Sequence, residues 1–310
     1  MDVQASSRLD WVLFLLLGFF WGSSYLFIRI GVEAGLAPFT LVTLRLVIGF
    51  LLLASVVLVA RERLPRELGT YGHLLVIAIL SVVVPFSLIS WAEQSVASSL
   101  AAVINGAIPL LVIVIAAAML PDEPFTTPRV VGLLVGFVGV AILVGFDPGV
   151  LAGTSILPAL ALLGSTTSYA AGGVWARRFL QGLSPMVTAM FEIGFALVIA
   201  AVLATLLDGG IRLPTRGDAI FAVIWLGLLG SGLAFLIYFR LLGRWGATRT
   251  SLVAYLMPVV GLVLGALVLH ETVDARLILG TALVIAGIGL VNMRMGSLRM
   301  RRDPVVEEPR

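Results

Sequence analysis

Cysteine is absent from the 310 residues, which excludes disulfides, thiolate metal sites and a cysteine nucleophile. Lysine is absent as well. All 20 basic residues are arginine, so lysine phosphate clamps and Schiff-base chemistry are ruled out, and we read the exclusive use of arginine as a compositional bias. Charge is scarce: 12% of residues are charged against 60% hydrophobic, with a mean hydropathy of +1.12. That is too little polar material to cover a water-soluble globule, so the chain reads as an integral membrane protein with the lipid bilayer as its solvent. The pI of about 9.8 would point to nucleic acid in a soluble domain. Here the arginines flank apolar segments, and no nucleic-acid partner is expected. A Walker loop, a Gly-x-Ser-x-Gly turn and clustered carboxylates are all missing, so ATP hydrolysis and hydrolase chemistry lack support. His270 beside Glu271 has no further metal ligands nearby in sequence, and neither a metal nor a cofactor is expected.

What is present is a series of apolar runs. About ten, each of roughly 19 to 25 residues, are long enough for helices crossing a ~30 Å hydrocarbon core. They fall near residues 11–30, 38–60, 73–91, 96–120, 128–146, 155–176, 186–207, 219–240, 249–269 and 276–294. Arg8 is the only basic residue before the first run, which is interrupted by Trp21-Gly22-Ser23-Ser24 and carries no clear cleavage site. It reads as an uncleaved span rather than a signal peptide.

The runs repeat. Glu123, Gly132 and Gly139 return as Glu271, Gly280 and Gly287 at an offset of 148, and Trp21-Gly22 with Arg29 returns as Tyr169-Ala170 with Arg177 at the same offset. Gly35-Leu36-Ala37-Pro38 returns as Gly182-Leu183-Ser184-Pro185 at 147, and Pro109 as Pro258 at 149. We therefore divide the chain into a first five-helix repeat over 10–146, a second over 155–294, and a disordered cytoplasmic tail over 295–310. Repetition of this kind marks membrane transporters that build one central site between two repeats.

With the N-terminus placed in the cytoplasm, fifteen arginines fall in cytoplasmic segments and four (Arg29, Arg212, Arg216, Arg276) outside. The positive-inside rule then predicts both termini cytoplasmic in a multi-pass protein of the cell (inner) membrane. Five spans per half is odd, so the second half enters from the opposite face. The expected fold is all-α: ten transmembrane helices as two inverted five-helix repeats.

Polar residues inside spans are the first place to look for function. Arg45 and Glu192 each lie seven residues after a repeat proline, Pro38 and Pro185, and so about 10 Å deep from opposite faces. A direct ion pair is not expected. Each reads either as contacting a helix end or hydroxyl of its own half, in a structural or gating role, or as touching the substrate directly. Ser98, Ala102, Asn105 and Pro109 share one helical face of the fourth span, and Ala247, Ser251, Ala254 and Pro258 repeat that face in the ninth. They read either as cavity lining, with Pro109 and Pro258 as hinges, or as plain small-residue packing. Gly18/Gly22, Gly132/Gly136 and Gly261/Gly265 read as packing. Trp21 with Ser24, and Tyr169 beside Ser165 to Ser168, are mid-span and read either as pocket walls or as simple packing, with Trp91, Tyr238 and Tyr255 as further candidates of the same kind. Glu123 and Glu271 are each expected to cap the helix that follows them.

At these residues the chain resembles the EamA-type transporters of the drug/metabolite transporter superfamily. The likeness covers Trp11 to about Arg294. It is carried by Trp21-Gly22 to Arg29, Thr43-Leu44-Arg45, Ser-Val-Ala-Ser-Ser at 95–99, Pro109, and Glu123 with Gly132 and Gly139. Two departures stand out: Arg29 occupies a position where lysine is frequent, and Glu192 replaces the arginine of the second half. The resemblance implies a ten-helix carrier of small metabolites, often an exporter of amino acids or related solutes. It would work by alternating access around a cavity lined by spans 1, 3, 4, 6, 8 and 9, without an obligatory protein partner. The rival reading is a membrane enzyme acting on a lipid-linked substrate, which would need a cluster of acids or histidines at one interface; only Asp122-Glu123 and His270-Glu271 come close, and they lie at opposite faces. A passive channel lacks a ring of charge. With no Asp, Glu or His mid-span in the expected lining, a facilitator or exchanger is expected rather than a proton antiporter.

Overall fold

The computed structural model describes residues 8–119, 127–144, 156–250, 253–254 and 256–292, and all regular structure among them is helical. The helices are α1 (Arg8–Glu33), α2 (Pro38–Ala60), α3 (Leu68–Ala92), α4 (Ser98–Met119), α5 (Thr127–Val144) and α6 (Leu157–Phe179). They are followed by α7 (Pro185–Leu207), α8 (residues 217–250), α9 (Leu256–Val268) and α10 (Ala275–Asn292). Among the described residues, six stretches are long and apolar enough to cross a membrane: α1 to α4, α7 and the Gly217–Tyr238 part of α8. Val130–Leu143, Leu256–Val268 and Ala275–Leu290 are shorter apolar helices. Leu51, Leu58, Val198, Val202 and Leu206 point outward from α2 and α7 at 52–76% exposure, an apolar outer surface suited to lipid. The chain is a multi-pass membrane protein.

Local chemistry explains where helices start and where they are irregular. In both copies of the Gly-Leu-x-Pro turn the glycine takes a left-handed φ, 91° at Gly35 and 85° at Gly182, and the proline opens the next helix at its first turn. Within α3, Ile79–Val83 is π-helical, and the Val84 N–H reaches back to the carbonyl of Ile79. Pro85 follows at once. It has no N–H to offer Ser81 and its ring excludes the Ser81 carbonyl, so the ladder widens there. The corresponding part of α8, Trp225–Leu233, is also π-helical and holds Gly227, Gly230 and Gly232. Helix α4 is interrupted at Ala107, between Ser98–Gly106 and Ile108–Met119, just before Pro109.

Repeat-equivalent helices pack on each other in opposite directions. Asp208, which ends α7, accepts hydrogen bonds from the Thr40 N–H (2.6 Å) and hydroxyl (2.9 Å) at the start of α2. Glu271, beyond the end of α9, reaches the start of α4, and Arg276 at the start of α10 donates to the carbonyl of Leu143 at the end of α5 (2.9 Å). Glycines permit the close approaches. A Cβ on Gly18 or Gly22 would meet Leu256 or Val260 of α9, one on Gly261 would meet Ala102, and one on Gly136 would meet Leu110. In the α2–α7 layer, Val42, Leu46 and Leu53 face Ala189, Ile193, Ala196 and Ala200, so small residues on one helix admit branched ones on the other.

The second half departs from the sequence reading at its eighth and ninth spans. Helix α8 runs on to Thr250, so Arg240, Arg244 and Arg249 are helical rather than loop residues. Arg244 pairs there with the fully buried Asp10 of α1 at 3.3 Å. Ala247 belongs to α8, Ala254 to a short 3-10 turn, and Pro258 to the first turn of α9. Ala247, Ala254 and Pro258, expected on one helical face, therefore do not share a helix. The reason is that Pro258 serves as a helix starter, where its missing N–H is not needed, instead of breaking a continuous span. Ser251, Tyr255, Asp122, Glu123, Gly149 and the tail over 295–310 lie outside the described residues.

Candidate functional site

Arg45 on α2 is 3% exposed, deep between the two halves. Its Nε donates to the Ser231 hydroxyl at 3.1 Å, and its guanidinium carbon lies 4.1 Å from the centre of the Phe86 ring. Ser231 sits in the π-helical stretch of α8, and Phe86 follows that of α3. Gly230 leaves the room: a Cβ there would come within 2.9 Å of the Ser24 Oγ and 3.3 Å of an Arg45 terminal nitrogen. The Tyr169 ring stands 6.5 Å from that of Phe86, and Tyr25, 3% exposed, is buried in the same interior. A cation, a phenyl ring, two phenols and two hydroxyls thus converge where both repeats meet. Such a set can bind a carboxylate through the guanidinium and an apolar or aromatic body through the rings.

Glu192 on α7 occupies the repeat-equivalent position and is 8% exposed. The Ser81 hydroxyl, inside the π-helical stretch of α3, lies beside it. Gly172 of α6 makes the space, since a Cβ there would lie 2.1 Å from the Ser81 Oγ, and Ser168 donates to the Leu80 carbonyl at 2.6 Å. Arg45 and Glu192 do not pair directly. Each does find a hydroxyl, but in the opposite half rather than its own, because antiparallel packing sets each residue of the α2–α7 pair against the other repeat's third helix. Ser81 and Ser231 escaped the sequence reading. Their separation of 150, close to the repeat offset, was the available signal.

The other sequence candidates divide into separate places. Trp21 packs on Tyr238 (ring centres 5.5 Å apart) and Phe235 (6.2 Å), forming an aromatic wall between α1 and α8. Asn105 is fully buried; its side-chain carbonyl accepts from Ser165 (2.7 Å) on α6 and its amide donates to the Ala101 carbonyl (3.1 Å). Pro109 follows the break in α4, and Pro258 packs against Gly106 beside it. Trp91 is 44% exposed at the end of α3, away from the Arg45 group.

Glu271 does not cap the helix that follows it. Asp274 does that, accepting from the Leu277 N–H at 2.7 Å. Glu271 instead accepts from the Ser98 N–H (2.7 Å), the Ser98 hydroxyl (2.9 Å) and the Ser99 N–H (3.0 Å), capping α4 in the other repeat. The turn at His270, whose φ is 55°, directs it there. Ser98 is thereby committed to the cap. At the same end, Arg29 pairs with Glu33 at 2.5 Å and donates to the main-chain carbonyls of Glu93 and Val96, clamping the loop between α3 and α4.

An all-helical membrane chain in two repeats, with charged and hydroxyl groups buried where they meet, belongs to the class of multi-pass solute carriers. The EamA-like transporter family matches it twice, over residues 10–145 and 156–293, and the chain belongs to that family, within the drug/metabolite transporter superfamily. It is similar to the uncharacterised inner membrane transporter YedA of Escherichia coli, 29% identical over 92% of this chain and 90% of that one. It is 26% identical to a probable amino-acid metabolite efflux pump of Salmonella typhimurium over 91% of this chain and 94% of the relative. The uncharacterised transporter YoaV of Bacillus subtilis is 22% identical over 86% and 91%. A solved crystal structure, 21% identical over 96% of this chain and all of that one, shares the fold with a TM-score of 0.66.

Proposed function

We propose that this protein is a secondary transporter, not an enzyme, that moves a small metabolite, an amino acid or a related solute, across the cell (inner) membrane by alternating access, in the direction of export. The single observation that carries this reading is that Arg45, 3% exposed, donates to Ser231 of the other repeat. A buried guanidinium lined by aromatic rings suits a solute with one carboxylate and an apolar part. The π-helical stretches that present the two serines are places where a helix can change its ladder without unfolding, as rocking between repeats requires. Ten spans as inverted repeats, with both termini in the cytoplasm, is supported by the antiparallel packing of counterpart helices and by the arginine tally. The name of the Salmonella relative supports amino-acid metabolites as the solute class and export as the direction. Against the enzyme reading, Glu271 is engaged as a helix cap and is not free for chemistry.

The test is counterflow in proteoliposomes. Vesicles loaded with an unlabelled amino acid should accumulate the labelled solute transiently, and Arg45→Gln should abolish this. Accumulation equal to that of empty liposomes across an amino-acid and metabolite panel would overturn the reading.

A further inference from the structure

The loop between α3 and α4 hides a carboxyl group that nothing so far employs. Glu93 prolongs α3 by one residue, its N–H bonding the carbonyl of Ile89 at 2.9 Å, so its side chain keeps a helical direction into the protein. It is 0% exposed, and neither carboxyl oxygen has a hydrogen-bond partner. The hydroxyls of Ser90, one turn back, and Ser99, across the loop, are 1% exposed and equally unpartnered. Arg29 does not neutralise Glu93: it spends its donors on the Glu93 and Val96 carbonyls and on Glu33.

A charged carboxylate cut off from water and without donors is costly, whereas the protonated acid is tolerated. The charged and titratable groups around Glu93 are Tyr25 and Arg29 of α1, Arg45 of α2 and Glu271 of the α9–α10 loop. Burial, reinforced by Glu271, pushes the Glu93 carboxyl well above the usual carboxylate range, against the opposing pull of Arg29 and Arg45. A metal ion is a poor occupant. Among the described residues no three His, Cys, Asp or Glu side chains gather, and two guanidinium groups stand close by.

We propose that Glu93 is a proton-binding site: its carboxyl holds a proton while this end of the bundle is closed and gives it to water when the end opens, leaving a solvated carboxylate. The inference rests on the carrier reading and adds a coupling ion to it. It also revises the expectation of a carrier without a titratable group, since sequence alone placed Glu93 just beyond the third span. The sign follows from the shift. The raised carboxyl favours the closed form at pH values below the exposed-state range of about 4, and that preference is lost as pH rises through the buried-state value.

Two measurements need no solute and so are independent of the carrier reading, which counterflow tests separately. First, infrared spectra of the purified protein should contain, at neutral pH, a protonated-carboxyl band that is lost in Glu93→Gln and displaced in Glu93→Asp. Glu93→Asp keeps the group if Glu93→Gln fails to fold. Second, because the chain has no cysteine, Ser90→Cys provides a single thiol beside Glu93. The ratio of its maleimide labelling rate to that of Ser90→Cys/Glu93→Gln should rise at least about tenfold between roughly pH 5 and pH 9, with thiol ionisation cancelling between the two. In proteoliposomes that transport, counterflow should vary with pH in the parent and be flat in Glu93→Gln. Absence of the infrared band in the parent, or a labelling ratio constant with pH, overturns the proposal.

Discussion

Gly139 and Gly280 lie back to back across the α5–α10 contact: a Cβ on Gly139 would come within 2.8 Å of the Gly280 carbonyl, and one on Gly280 within 3.0 Å of the Gly139 carbonyl. Their repeat counterparts, Gly287 and Gly132, meet in the same way, at 2.5 Å. If one residue touches another, its counterpart touches the other's counterpart, which is the reciprocity expected across a two-fold axis. Backbone occupies the space a side chain would need.

This contact predicts a graded effect. Gly287→Ala should destabilise the detergent-solubilised protein by about 1–3 kcal/mol. Gly289→Ala, on the same helix but facing open space, should be neutral or slightly stabilising. Thermal unfolding of the two variants beside the parent decides it; equal midpoints would remove the contact from any role in stability.

The Glu271 cap predicts a cross-repeat effect. Glu271→Ala strips three hydrogen bonds from the start of α4, for an expected loss of about 1–3 kcal/mol. Ser98→Ala removes only the hydroxyl contact and should cost less. Protease sensitivity of the 93–98 segment is the local readout, and cleavage unchanged in Glu271→Ala would contradict the cap.

For the buried cation, Arg45→Lys should fail to restore counterflow that Arg45→Gln abolishes. A lysine ammonium has neither the planar fork that reaches Ser231 nor the flat face that lies on Phe86. Trp21→Ala and Tyr169→Ala should weaken transport, whereas Trp11→Ala, truncating a residue 53% exposed, should not. Transport at parental rates by Arg45→Lys, or equal rates for the three aromatic variants at equal expression, would count against this site.

Orientation is open to direct labelling in whole cells, again because no native cysteine competes. An impermeant maleimide should modify Gly149→Cys but not Arg63→Cys. The reverse pattern would invert the assigned topology.

Much of the architecture was legible in the sequence because it depends on local chemistry. Apolar runs of membrane-spanning length, the Gly-Leu-x-Pro turns with their left-handed glycines, and the repeated prolines and glycines all act within a few residues of themselves. The offset near 148 then discloses two copies of one plan. Tertiary structure decided what each buried polar group touches. Arg45 and Ser231 are 186 residues apart, and Glu271 and Ser98 are 173 apart. No periodicity links such residues; only the antiparallel docking of the two halves brings them within hydrogen-bond reach. The same is true of Glu93. Its position just past a helix end reads as a loop residue facing water, yet it is fully buried, with Arg29 of α1 held against its own main-chain carbonyl, so tertiary packing has removed the solvent that a carboxylate at such a position ordinarily keeps.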